Sequence, residues 1–295
     1  MTDHVVGRPI PSETVLTLRP HLPRRDRDAE PSIVDIGFSN TVVRFGGSVA
    51  RVARTSEAAE GHAREARTVD VLSGLLPVEV PGPVLLVPPE PGLPRGAAIA
   101  PWLAGDAMTS DAASDPIVAG QIAATLVALH DVPASAFPAG ALQELDPLPE
   151  IERLARETTP WLHERLSRPE LERLDARWAE CRTALPGRER VVCHGDAWFG
   201  NMLVSDGRFS ALVDWEDTCV ADPALDLAAQ RHLDGDAWDA VIEGYIGPRG
   251  RTNDLDRRIE GYRLIREAAG LAYLLRNGIA DELDDALSKV VSLLD

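Results

Sequence analysis

Apolar and polar positions alternate from residue 32 to residue 54, and this period of two predicts strands over 32–38, 41–45 and 48–54. Gly46-Gly47 between the last two marks a hairpin turn. The period then lengthens: Ala59, Ala63, Ala66, Val69 and Leu72 recur at helical spacing behind Thr55 or Ser56, either of which can cap a helix N-terminus. A short helix is expected over 12–22, and further strands over 84–87 and 97–101. The pattern changes again past a connector, PWLAGDAM at 101–108. Helical spacing dominates over 111–131, 149–166, 169–185, 223–232, 236–245, 253–276 and 280–294. Short apolar runs at 191–193, 202–204 and 210–213 read as buried strands. The expected architecture is α+β, with a small β-rich lobe over 1–105 and a larger, mainly helical lobe over 106–295.

Composition narrows the class. The chain has 295 residues, 44% apolar and 26% charged, which suits a globular protein with a sizeable core. No run approaches the roughly 18–20 uninterrupted apolar residues of a membrane span, and no apolar signal core stands at the N-terminus. Three cysteines without metal-ligand spacing predict reduced thiols and a cytoplasmic location. The net charge of −17 is uneven: residues 1–105 carry −1 and residues 106–295 carry −16. Such a field disfavours nucleic acid and anionic membranes as partners, and it attracts cationic ligands. No feature points to an obligate protein partner.

Two polar islands interrupt the buried strands of the second half. In VVCHGDAWFGNMLV (191–204), His194, Asp196 and Asn201 stand between apolar runs, and in ALVDWEDT (211–218) Asp214 ends another. A loop aspartate, an asparagine five residues later and a second aspartate beyond the next strand are what phosphoryl transfer needs. One carboxylate orients and deprotonates the attacking hydroxyl, while an amide oxygen and a second carboxylate hold Mg²⁺ against nucleotide phosphates. Hard oxygen donors fit that ion where His or Cys would not.

At these residues the chain resembles the aminoglycoside phosphotransferase family, which shares a bilobal protein-kinase-like fold with choline and homoserine kinases. The resemblance rests on HGDAWFGN, on the strand end VDWED and on DPALDLA at 222–228, and it extends over roughly residues 30–280. It implies that Asp196 is the catalytic base, that His194 positions its loop, and that Asn201 and Asp214 are the Mg²⁺ ligands. It makes Asp226 a buried structural carboxylate. In the small lobe, GFSN implies a phosphate turn through Gly37, Ser39 and Asn40. The basic strand residue is Arg51, with Glu65 as its expected ion-pair partner; alternation sends Arg54 to the opposite face. The backbone from Ile99 to Trp102 is expected to meet the nucleotide base. Glu216, Asp217, Asp234, Asp236 and Glu267 either line a pocket for a cationic substrate or are solvated helix acids. His62, His130, His163 and His232 show no metal spacing and read as packing or surface residues.

The expected function is therefore ATP- or GTP-dependent and Mg²⁺-dependent O-phosphorylation of a small hydroxylated molecule. An amine-bearing antibiotic such as an aminoglycoside leads. Alternatives are the same chemistry on a macrolide or a small metabolite, and a catalytically silent nucleotide-binding protein. Intact Asp196, Asn201 and Asp214 argue against silence, and the lack of a second histidine cluster argues against a metal-dependent phosphatase.

Overall fold

In the computed structural model, which describes residues 11–36, 39–233, 235–252 and 254–294, the alternating segment forms β1 (Pro31–Ile36), β2 (Asn40–Phe45) and β3 (Ser48–Ala53). With β4 (Leu85–Val87) and β5 (Ala97–Pro101) they make an antiparallel sheet of order β1-β2-β3-β5-β4. The turn between β2 and β3 pairs Phe45 with Ser48, and Gly46 takes a positive φ of 59° there. Asp26, unremarkable in sequence, clamps this turn: its carboxylate accepts from the Gly47 N–H at 3.0 Å and the Ser48 hydroxyl at 2.7 Å. Val43, Phe45, Ala50, Ala97 and Ile99 bury one face of the sheet, together with Leu18 and Leu22 from α1 (Ser12–Leu18) and the turn after it. The first helix stops short of residue 22 because Pro20 cannot continue its hydrogen bonding, and a 3-10 turn follows.

Helix α2 (Ser56–Leu72) is capped by the Thr55 hydroxyl, which accepts from the Ala58 N–H at 3.1 Å. Its Val69 and Leu72 do not join the core of the sheet. They belong to the main core of the molecule, with Ile122, Leu126, Ile151, Leu154, Trp178 and Trp215. That core is built by α3 (Ser110–Ala113), α4 (Pro116–His130), α5 (Pro147–His163), α6 (Arg168–Ala184), α7 (Ala224–Ala228), α8 (Gly235–Arg249), α9 (Leu255–Asn277) and α10 (Leu283–Val291). The bilobal α+β arrangement agrees with the expectation.

Four details differ from it. The helix expected over 111–131 is two, since Pro116 opens α4 and Asp115 caps it by accepting from the Ile117 N–H. The connector contributes β6 (Asp106–Ala107), which pairs with β9 (Met202–Ser205); β10 (Arg208–Leu212) completes that sheet. Two short strands escaped the hydropathy pattern, β7 (Gln143–Glu144) and β11 (Cys219–Ala221). They form a third sheet with β8 (Val191–Cys193), in which Cys193 faces Cys219 and both thiols stay free. Among the described residues, no helix is long and apolar enough to cross a membrane.

Candidate active site

The loop after β8 is held from below by a carboxylate. Asp226, fully buried in α7, accepts from the His194 N–H at 2.8 Å, the Gly195 N–H at 2.9 Å and His130 Nε2 at 3.0 Å. Burial alone would raise the Asp226 carboxyl, but these partners and the nearby His194 prevail and hold it below its ordinary value. His130, Asp226 and the adjacent Cys193 offer metal-type donors, yet both oxygens of Asp226 are already spent on this network. The His194 ring is buried as well. Its Nε2 donates to the Val213 carbonyl at 3.1 Å and its Nδ1 accepts from the Asp196 N–H at 3.2 Å, so the ring serves backbone alone. Gly195 has a φ of +91°, and a Cβ there would stand 2.3 Å from the Asp217 carbonyl oxygen. Only glycine fits that crossing.

Asp196 emerges from this platform half-exposed. Asn201 Nδ2 donates to its backbone carbonyl at 2.8 Å and to Oδ2 at 3.0 Å, while Arg266 Nη1 donates to Oδ1 at 2.9 Å. With its nitrogen committed to Asp196, Asn201 keeps its amide oxygen for another partner. Asp214 lies in the left-handed region at φ 68°, which a non-glycine residue adopts only when its surroundings enforce it. Its Oδ1 accepts from Arg51 Nη1 at 3.1 Å, and Arg51 also pairs with Glu65, which is 1% exposed. Glu65 in turn accepts from the Trp215 N–H at 3.3 Å. Strand β3, helix α2 and the turn carrying Asp214 thus meet in one charged chain.

Glu216 follows two residues later, packed beneath α2. A Cβ on Gly61 of α2 would come within 2.9 Å of its Oε2, so glycine is what lets the helix lie this close. Burial first, and the Asp214 charge second, push the Glu216 carboxyl up to about 7. In the unfolded chain it titrates near the ordinary 4.5, so the folded state binds the extra proton between these values. The contribution of Glu216 to stability therefore falls as pH rises from about 4.5 through 7. Glu216→Gln should remove that fall: thermal melts of metal-free protein from pH 5 to 8 should have a flatter profile in the variant, with its largest relative gain above pH 7. Identical slopes would deny Glu216 this role.

A cleft of about 480 Å³ opens between the five-stranded sheet and the two loops. Ser39, Asn40, Arg51, Glu65, Trp102, Asn201, Asp214 and Glu216 line it, so seven of the residues expected around nucleotide and metal meet there, with Glu216 among them instead of in a separate substrate pocket. Gly37 and Asp234 lie outside the described residues. Ile99 is not part of the lining: its side chain is in the sheet core and Ile99 itself pairs on both sides, with Ala50 and with Leu85. The lining there is Ala100 to Leu103, and the Trp102 N–H is already given to the Gly47 carbonyl at 3.0 Å. Arg54 is absent from the lining.

The remaining acids scatter. Asp217, open to solvent on one side, is raised by the protein packed around it and then by Asp196 and Asp214, which sets it beside the loop aspartate. Asp236 is exposed at the start of α8. Glu267 is close enough to Lys289 of α10 to add to the effect of Asp285 on that ammonium, which turns it toward α10. Two residues gain significance from the fold. His62 is buried, with its Nε2 2.8 Å from Asn40 Oδ1, and desolvation followed by the Arg51 charge lowers it to about 3. Arg266 reaches Asp196 from α9, 70 residues along the chain, a distance no local motif encodes.

A sequence model of the APH phosphotransferase enzyme family matches residues 32–262. Over 111 residues the chain is 34% identical to the viomycin phosphotransferase of Streptomyces vinaceus, a match that spans 36% of this chain and 37% of that protein. Among solved structures, the GDP complex of aminoglycoside 2'-phosphotransferase-IIIa superposes with a TM-score of 0.80 at 16% identity, over 95% of this chain and 96% of that one. A macrolide 2'-phosphotransferase from Brachybacterium faecium superposes with a TM-score of 0.67 at 23% identity, over 89% and 93% of the two chains.

Proposed function

The chain belongs to the phosphotransferase enzyme family, and from that premise we propose that it transfers the terminal phosphoryl group of ATP or GTP to a hydroxyl of a small antibiotic inside the reducing cytoplasm. The observation that carries this reading is the meeting of Asn201, Asp214 and Arg51 in one cleft of nucleotide size, with Asp196 hydrogen-bonded to Asn201 beside it.

Each residue has a task within it. Asp196 accepts the proton of the acceptor hydroxyl and orients its oxygen for in-line attack. Asn201, through its uncommitted amide oxygen, and Asp214, through Oδ2, are hard donors suited to Mg²⁺ and would hold that ion, which supplies charge neutralisation at the nucleotide phosphates. Arg51, fixed by Glu65, faces the phosphates from the sheet; Ser39 and Asn40 edge the same space, and His62 steadies Asn40. His194, Gly195 and Asp226 keep the loop rigid, so little of the barrier is spent on arranging it.

An amine-bearing acceptor is favoured by the −16 carried by residues 106–295 and by the likeness to viomycin phosphotransferase. An uncharged acceptor such as a macrolide is the second reading, favoured by the Arg266 guanidinium beside Asp196. The test is transfer of label from γ-labelled ATP or GTP to viomycin, kanamycin and a macrolide, with Mg²⁺ and with EDTA. Label in any of the three that vanishes with EDTA supports the reading; none, with nucleotide bound, rejects an antibiotic acceptor of these classes.

The two strand arginines give a sharper check. Arg51→Ala should raise the Michaelis constant for nucleotide about tenfold, as loss of a charge-assisted hydrogen bond does. Arg54→Ala should leave it within about twofold, because Arg54 lies beyond the end of β3 and outside the lining of the cleft. Steady-state kinetics on both variants decides, and the reverse pattern would move the phosphate contact to Arg54.

A further inference from the structure

We propose that Arg266 is a catalytic residue of the acceptor side, whose guanidinium contacts the phosphoryl group in flight; this rests on the phosphotransfer reading above. Both oxygens of Asp196 are engaged. Oδ2 is held by Asn201 on the metal side, and Oδ1 is held by Arg266 Nη1 at 2.9 Å. The acceptor hydroxyl must bond to this carboxylate to lose its proton, so its oxygen and the phosphorus it attacks lie within the span of one guanidinium from Oδ1.

The charges around the phosphoryl group lead to the same residue. In a loose transition state the negative charge spreads over three equatorial oxygens. Asn201, Asp214 and Arg51 serve the side facing the nucleotide. On the acceptor side the neighbouring side chains are carboxylates, Asp196 and Asp217; Arg266 is paired to Asp196, while Arg64, the arginine that acts on Asp217, is bonded through Nε to the Glu216 carbonyl. Two other arginines of that region are otherwise engaged: Glu260 binds both Arg231 and Arg263. Arg266 also lies over the Trp198 ring, 5.7 Å from its centroid, and Trp198 belongs to the catalytic loop itself. One of its five N–H donors suffices for Asp196, which leaves the fork able to bond a phosphoryl oxygen without releasing the base.

The step balances with the groups named. The acceptor oxygen forms its bond to the γ-phosphorus as the bond from that phosphorus to the β-γ bridging oxygen breaks. The bridging electron pair leaves with the nucleoside diphosphate, and the acceptor proton passes to Asp196. Arg266 gives up no proton; it offsets charge.

Aluminium fluoride with Mg-GDP or Mg-ADP mimics the planar group in flight and requires no knowledge of the acceptor. Calorimetric titration of wild type, Arg266→Ala and Arg266→Lys should give Mg-nucleotide affinities within about twofold of one another. Affinity for the fluoroaluminate complex should fall about 10²–10³-fold in Arg266→Ala, the range for removing one transition-state donor. Arg266→Lys should lose less, and millimolar guanidinium should restore part of the loss in Arg266→Ala but not in wild type. Equal fluoroaluminate affinity in wild type and Arg266→Ala would overturn the proposal, as would wild type gaining nothing from fluoroaluminate. A variant with weakened Mg-nucleotide binding and a lowered melting temperature would make Arg266 a structural prop and overturn it too. Failure of wild type to bind Mg-nucleotide at all would instead strike the phosphotransfer reading, and this inference with it.

Discussion

Asp214→Ala should abolish turnover, lowering kcat by about 10³-fold or more, because the lost charge neutralisation is worth several kcal/mol and each 1.36 kcal/mol is a factor of ten. Mg-nucleotide binding should weaken alongside, whereas nucleotide binding in EDTA should hardly change. The left-handed backbone at Asp214 complicates the alanine variant, since a Cβ without a local hydrogen-bonding group costs about 1–2 kcal/mol there. Asp214→Asn answers that: asparagine tolerates this conformation, keeps one oxygen, and removes the charge and the second acceptor. It should fold as the wild type does and still lose most of the Mg-dependent part of binding. Calorimetry with and without EDTA on both variants reads the effect. Unchanged Mg-nucleotide affinity in Asp214→Asn would show that the metal is held elsewhere.

Asp196→Asn should separate chemistry from binding. Asparagine matches the shape but has one acceptor oxygen, enough for Asn201 or Arg266 and not for both; it cannot take the acceptor proton, so kcat should drop about 10²–10⁴-fold. Mg-nucleotide affinity should change less than about threefold, because the proposed reading gives the metal to Asn201 and Asp214. Stability should stay near wild type, since the loop is fastened through Asp226 to the backbone of His194 and Gly195 and not through the Asp196 side chain. Single-turnover transfer to viomycin or kanamycin, paired with nucleotide titration and melting, tests all three. Near-full turnover would remove Asp196 from the mechanism; an unfolded variant would make the loop aspartate a structural residue.

Some of this was legible in the sequence. Two carboxylates and an amide stranded between apolar runs could be read as chemistry, because burial of such groups without a task is costly. The Arg51–Glu65 pair followed from alternation in a strand and from helical spacing in the next element, both strictly periodic. What escaped depended on contacts between distant segments. Cys219–Ala221 and Gln143–Glu144 are strands because each finds a partner, not because three or two residues show a period. Ile99 has the sequence position of a backbone contact to the base, yet it pairs with strands on both sides, with Ala50 and with Leu85. Arg266 and Glu267 are adjacent in sequence, and about 100° of helical turn sends one to Asp196 and the other toward Lys289. A list of acids along the chain carries no such angle.

The fit of α2 against its neighbours has a mechanical consequence. Gly61 lets this helix rest on Glu216, Arg64 Nε donates to the Glu216 carbonyl at 3.3 Å, and Val69 and Leu72 are embedded in the main core. Helix α2 follows the β-sheet strands in sequence but is moored to the helical body. If the jaws of the cleft part to release nucleoside diphosphate, the sheet should swing while α2 stays behind. The Arg51–Glu65 pair spans that moving seam, one partner on each side. On the proposed reading it then serves as a latch: made when the jaws meet, and stretched when they open.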